Sequence, residues 1–273
     1  MTEFKDLDSD YSVAAEYIEY FKENGYIKLK DVLSPETLDY YREVISEQVK
    51  LLNTQHLPLE ERDLYHRAFL QVSNIWRKND IVKRFAFSRR LAKIAADLLE
   101  VSGVRIYHDQ ALYKEPGGGF TPWHADQQYW PLASEKSVTV WIPLQKTPLE
   151  MGPLSFAMGS HKKGFARDLP IGEESETKIA EIVKRENMSH LASSFDLGEV
   201  SYHYGWTLHR AGPNSTDKAR AVMTVIYMDE DMKLAEPANE NQKVDRDVFC
   251  PGVKVGEVIK TDMNPLLFSY RNS

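Results

Sequence analysis

His124 and Asp126 stand two positions apart in the stretch TPWHADQQYW. Along a strand, or at its end, side chains alternate faces, so this spacing turns an imidazole and a carboxylate the same way. Such a pair supplies two ligands to a borderline metal ion. A histidine from elsewhere in the chain would complete the two-histidine, one-carboxylate face that holds mononuclear iron. On its own, H-x-D is equally the pattern of a solvated loop. His209, in GWTLHRAGPN, follows a strand-like run and is read as sitting in a turn beside Gly212-Pro213-Asn214, from which a side chain can aim into a barrel mouth. Arg220 opens the next run, in parity with Val222, Thr224 and Ile226. A guanidinium among apolar neighbours is costly to bury unless it meets an anion, and its planar fork suits a carboxylate. The alternative is an arginine at a strand end that reaches out to water.

The elements that must carry these residues fall into two halves. The first reads as helical. DYSVAAEYIEYFKENG sets Val13, Tyr17, Ile18, Tyr20 and Phe21 on one stripe and stops at Gly25; YIKLKDV is a short alternating strand. A second helix begins with Ser34 as cap and Pro35 in its first turn, and a third runs from the cap Ser88 to Gly103 as its stop. After Gly103, runs such as VRIYHDQALYKEP, SVTVWIPLQ, PLSFAM, GEVSYHYGW and RAVMTVIYMD are β-branched, aromatic and punctuated by Gly and Pro. The predicted fold is mainly β with α: an antiparallel jelly roll or barrel with one helical insert near 176–188. In SVTVWIPLQ, Val138, Val140, Ile142 and Leu144 share one face, and Ser137, Thr139, Trp141 and Gln145 the other. That parity predicts a polar lumen, with the aliphatic outside of one sheet covered by the N-terminal helices.

With neither repeat nor Gly/Ser linker, the chain reads as one domain over 1–273, a helical support region at 1–103 and a β core at 104–273. The composition, 42% hydrophobic and 27% charged, suffices for a sizeable core. A net charge of −7 with no basic block argues against nucleic acid as a partner. A single cysteine, Cys250, excludes an internal disulfide framework and any cysteine-built zinc or iron–sulfur site. An acidic start without a signal-peptide pattern, and no run of membrane-spanning length, point to a cytoplasmic protein without a membrane partner. Nothing in the sequence speaks to oligomeric state.

The segments KEPGGGFTPWHADQQYW, VTVWIPLQKTPLEMGPLSFAMGSHKKG and GWTLHRAGPNSTDKARAVMTVIYM resemble, in order and spacing, those of the phytanoyl-CoA dioxygenase family of Fe(II)/2-oxoglutarate-dependent oxygenases. The resemblance spans about Tyr26 to Leu267 and implies a double-stranded β-helix of the cupin-like kind. It implies His124, Asp126 and His209 as iron ligands and Arg220 as the grip on the C5 carboxylate of 2-oxoglutarate. Trp141, Gln110 and Gln71 correspond to positions that touch that cosubstrate. Ala211 departs from the pattern, since several members place a serine there near the same carboxylate. A carboxylate at Asp126, where related halogenases carry a small residue, implies oxidation rather than halogenation. The implied reaction consumes O2 and 2-oxoglutarate, releases succinate and CO2, and hydroxylates an unactivated C–H of a small-molecule substrate.

Trp123, Gln127, Tyr129 and Trp130 are candidates to face that substrate. His203 reads as a strand histidine or one that orients a ligand, rather than a ligand itself, and His161 as a loop histidine satisfied by turn backbone. Gly117-Gly118-Gly119 lacks the Lys-Ser/Thr of a phosphate cradle and reads as a mobile hairpin or lid. Two other classes remain open. One is a cupin-type metalloenzyme that uses no 2-oxoglutarate, for which Arg220 has no task; the other is a non-catalytic jelly roll that binds a ligand.

Overall fold

The computed structural model describes residues 4–272. Ten strands, β1 (Tyr26–Leu29), β2 (Leu70–Ser73), β3 (Gly103–Lys114), β4 (Thr121–His124), β5 (Ser137–Pro143), β6 (Leu154–Phe156), β7 (Val200–Tyr204), β8 (His209–Ala211), β9 (Arg220–Asp229) and β10 (Leu266–Ser269), form two antiparallel sheets. The larger runs β1-β7-β5-β9-β3-β10, with β2 also paired to β3; the smaller runs β4-β8-β6. The sheets meet through an apolar cluster that includes Trp141, Leu154, Phe156, Ala211 and Val222.

Seven α-helices accompany them: α1 (Ala15–Asn24), α2 (Pro35–Leu52), α3 (Leu64–Ala68), α4 (Asp80–Ala86), α5 (Arg89–Leu99), α6 (Glu173–Arg185) and α7 (Glu240–Phe249). Ser34 and Ser88 accept from the backbone N–H of Thr37 and Leu91, satisfying donors that the first turn of a helix leaves free. α5 packs against β3, β5, β9 and β10. Its Leu91, Ile94 and Leu98 join Val138, Val140, Ile142 and Leu144 in the largest core cluster. The other face of β5 looks inward: Ser137 and Thr139 donate to Gln127 and Asp126. Strand parity in β5 therefore separates an aliphatic core side from a polar side that reaches the ligand-type residues.

Several expectations are corrected. The stripe on α1 holds in part: Phe21 is buried and Ile18 and Val13, the latter just before the helix, pack against the core, but Tyr17 and Tyr20 are exposed. α5 ends at Leu99, capped by Glu100 in the left-handed region, so Gly103 is not its stop. Gly103 opens β3, where a Cβ would lie 2.5 Å from the Phe268 carbonyl of β10. The helical insert spans Glu173–Arg185, a few residues earlier than 176–188. The Gly117–Gly119 turn is fastened rather than free. Gly117 and Gly119 donate backbone N–H groups to the Asn214 and Arg67 carbonyls, and Asn214 N–H donates to the Gly118 carbonyl.

Buried Asp109 on β3 pins the turn after β2, with its carboxylate accepting from Ile75 N–H at 2.9 Å and Trp76 N–H at 3.0 Å. Asp109→Ala leaves both donors buried and unpaired, at about 1–3 kcal/mol each. Chemical denaturation should show a loss of about 2–4 kcal/mol, and a loss under about 0.5 kcal/mol contradicts the pinning role.

Candidate metal centre

His124 closes β4 and His209 opens β8, and the two are direct partners across that ladder. His209 thus begins a strand instead of sitting in the turn beside Gly212. Asp126 opens the single 3-10 turn Asp126–Gln128 that follows β4. One ligand atom from each residue lies within 4.8 Å of the others. The atoms are identifiable. Asp126 Oδ1 is 3.6 Å from both His124 Nε2 and His209 Nε2, too long for a hydrogen bond. Asp126 Oδ2 is taken, by the Thr139 hydroxyl at 2.9 Å and His203 Nε2 at 3.2 Å.

The histidines are oriented from behind. His124 Nδ1 faces the Pro122 carbonyl at 2.8 Å and His209 Nδ1 the Thr207 carbonyl at 2.9 Å. A carbonyl only accepts, so each Nδ1 carries a proton, and Nε2 is the ring atom turned toward Asp126. Burial, with the neighbouring His124, holds His209 well below the usual histidine range, hence neutral at physiological pH. Burial also works to raise the Asp126 carboxyl, but His209, His124 and His203 outweigh it and hold it well below the usual carboxylate range. Two imidazoles and one carboxylate, aimed at one point, are the donor set that suits ferrous iron. The residues present fit that ion.

The triad lines a cavity of about 420 Å³ that also takes in Arg220, Trp141, Gln110, Gln71, Tyr129 and His203. Arg220 is 2% exposed and lies 5.4 Å from the Trp141 ring centroid. Its Nη1 donates to the Gly152 carbonyl, while Nε has no hydrogen-bond partner. Burial pulls the guanidinium down to about 9, still charged at neutral pH. Among the described residues, no carboxylate forms a salt bridge with it. Gln71 on β2 donates to Gln110 on β3 and accepts from the Tyr65 hydroxyl.

Two substrate candidates do not reach the cavity. Trp123 precedes His124 on β4 and therefore points the opposite way, into a cluster with Ile179 and Val183 of α6. Gln127 is buried with its amide committed to the Ser134 carbonyl and the Ser137 hydroxyl. Tyr129 and Trp130 do line it. His161 is only half satisfied: Nε2 meets the Lys22 carbonyl and buried Nδ1 has no partner. Sequence reasoning missed Tyr65, Thr121, Asp245 and Phe249, whereas β5 parity had already turned Thr139 toward the lumen.

A family model described as phytanoyl-CoA dioxygenase matches residues 21–222. The chain belongs to the phytanoyl-CoA dioxygenase family. By family it is a dioxygenase, and the two histidines and aspartate of its H-x-D…H pattern are the three residues that converge. The dioxygenase lolE1 of Epichloe uncinata is 24% identical over 224 residues, 79% of this chain and 82% of its own. The carbocyclase SnoK from nogalamycin biosynthesis, a non-haem alpha-ketoglutarate-dependent enzyme, aligns with a TM-score of 0.76 at 23% identity, over 94% of this chain and 97% of its own. The epimerase SnoN, solved with Fe3+, alpha-ketoglutarate and nogalamycin RO, aligns at 0.72 with 24% identity, over 93% and 98%. These likenesses show a shared fold of jelly-roll type.

Proposed function

We propose that this dioxygenase uses Fe(II), 2-oxoglutarate and O2 to hydroxylate an unactivated C–H bond of a small molecule, releasing succinate and CO2. His124, Asp126 and His209 would hold the metal. The observation that carries the reading is Arg220: a buried guanidinium with no acidic partner, in the same cavity as the triad. Such a charge calls for an anion, and a dicarboxylate cosubstrate would supply it. A metalloenzyme without 2-oxoglutarate gives Arg220 no task. SnoN and the S. alaskensis EctD, which share the fold, have been solved with that cosubstrate.

Bound iron, with the 2-oxo acid, supplies the oxidising power that activates dioxygen. The chain's own residues place and shield. Thr139 and His203 fix Asp126 Oδ2, so that Oδ1 is the atom presented to the ion. Trp141 flanks the guanidinium of Arg220 and would bound the space left for the far carboxylate. Gln110 and Gln71, bonded to one another, offer the polar edge of the same chamber. On this reading the whole chain is one catalytic domain, a double-stranded β-helix braced outside its larger sheet by the N-terminal helices.

The test is anaerobic titration of Fe(II)-loaded protein with 2-oxoglutarate, followed by the weak visible charge-transfer band of the chelate. The band should grow with a single saturating phase, and succinate should form once air is admitted. If neither occurs, the proposal is wrong.

The missing serine at Ala211 has a replacement in the ladder. Thr121 is the direct cross-strand partner of Ala211 and lines the cavity. Its Oγ1 accepts from Lys114 Nζ at 3.3 Å, which leaves the hydroxyl proton free to donate to a carboxylate. Thr121→Val should weaken 2-oxoglutarate binding about tenfold, the scale of one hydrogen bond to a charged group. Adding Ala211→Ser should recover most of it. Unchanged affinity in Thr121→Val rules out the substitute donor.

A further inference from the structure

Away from the iron face, the cavity changes character. Arg220 pairs with Lys114 at one end of the β3–β9 ladder, and Ile226 pairs with His108 six positions further along β9, a run of about 20 Å. At that second end the lining is aromatic: Tyr65, Tyr129, Trp130 and Phe249, with His108 stacked on Phe249 at 4.3 Å. One charged group stands among these rings, Asp245. It shares a face of α7 with Phe249, four residues on, while Val244 and Val248 of the same helix are exposed.

The Asp245 carboxylate accepts from the Tyr107 hydroxyl at 3.0 Å on Oδ2. Among the described residues no lysine or arginine forms a salt bridge with it. A half-buried carboxylate without a counter-charge is costly, and aromatic rings around it favour a cation as its partner. Among the described residues, the end of the cavity opposite Arg220 therefore offers one carboxylate, several aromatic rings and neither lysine nor arginine. That lining repels phosphate and carboxylate groups and welcomes a compact cation.

We propose that the substrate is a small organic cation, an ammonium compound with a hydrocarbon body, and that Asp245 receives its charge. This rests on the dioxygenase reading above and names the substrate class of that site. The ammonium group sits at Asp245 within the aromatic rings, and the hydrocarbon body extends toward the metal face. Tyr65 and Tyr129 line the same cavity as Asp126 and Asp245.

The groups facing Asp245 leave it as the one that titrates near neutrality. Burial pushes Tyr107 and Tyr65 well above the usual tyrosine range, Tyr129 upward and Cys250 up to about 12. Burial lowers His108 to about 4. Burial likewise raises Asp245 itself to about 7, against the Tyr107 hydrogen bond. A carboxylate that must be ionised to hold a cation binds more tightly as pH rises through that value, and loses the cation as pH falls below it.

The experiment is calorimetric titration of the Fe(II)-loaded protein with cyclohexylammonium, cyclohexanol and cyclohexanecarboxylate, under nitrogen. Cyclohexylammonium should bind at least tenfold more tightly than the other two, with affinity rising at least tenfold between pH 5.5 and 8. Asp245→Asn, isosteric and still able to accept from Tyr107, should erase both the preference and the pH dependence. Tyr107→Phe removes one hydroxyl and should move the pH midpoint upward. Equal binding of the three probes, no binding of cyclohexylammonium, or a preference kept in Asp245→Asn overturns the assignment. Should Asp245→Asn fail to fold, an unshifted midpoint in Tyr107→Phe overturns it. The 2-oxoglutarate band, read on the same wild-type preparation, separates a failure here from a failure of the dioxygenase reading.

Discussion

Asp126→Ala should lower succinate formation at least about a thousandfold, the rate equivalent of losing roughly 4 kcal/mol of metal-dependent stabilisation. The size of the effect follows from how much converges on this carboxylate. Oδ1 is the third ligand-type atom beside His124 Nε2 and His209 Nε2, and Oδ2 ties down Thr139 and His203. Removing it deletes a negative ligand and frees two side chains that hold the ligand in place. The loss should therefore show twice, as weaker Fe(II) binding by metal titration and as absent turnover at saturating iron. Folding should survive, because the carboxylate sits in a cavity and not in the packed core. Turnover within tenfold of wild type in a metal-loaded Asp126→Ala protein contradicts the triad.

The second large effect is expected at Arg220. Arg220→Lys keeps the charge but replaces a planar fork with a point donor on a flexible stem, so it separates bidentate recognition from simple attraction. We expect 2-oxoglutarate affinity to fall about a hundredfold or more, within the 2–5 kcal/mol that attends loss of one partner of a buried charge pair. The choice between 2-oxoglutarate and 2-oxobutyrate, which lacks the far carboxylate, should collapse in parallel. Binding of 2-oxobutyrate itself should barely change, since Arg220 has nothing to grip there. If the variant keeps the wild-type preference for 2-oxoglutarate, Arg220 is not the carboxylate receptor.

The chemistry-bearing centre was readable from sequence because its residues obey simple rules. His124 and Asp126 point together by strand spacing, and Arg220 stands out as a charge in an apolar run. Parity in β5 likewise put Thr139 and Trp141 opposite the aliphatic residues. Parity also marks where legibility ended. Trp123 obeys the alternation and faces away from His124, yet Tyr129, of the same parity as Trp123, lines the cavity, because the 3-10 turn after Ala125 breaks the alternation that a strand pattern assumes. Asp245 and Phe249 lie in NQKVDRDVF, a charged stretch whose helix shows most of its surface to solvent. Nothing local tells which of its acids turns inward; the packing of α7 against Tyr107 decides that. β2 and α3 were unread for a related reason. They are short, and the pairing of β2 with β3 far along the chain, rather than local propensity, makes Gln71 part of the site.

The pairing of His124 with His209 across β4 and β8 has a mechanical side. These strands are four and three residues long, and their register is irregular between Thr121 and His124. Short ladders of this kind open more readily than the long β3–β9 pair. An ion held by both histidines is a clasp across the weakest seam of the barrel, joined a second time through the turn that carries Asp126. Loading the metal should then slow amide exchange in the three-stranded sheet while leaving the seven-stranded sheet unchanged. The catalytic centre and the closure of the small sheet become one event, so a chain that has lost its iron has also unlatched the wall beside its substrate.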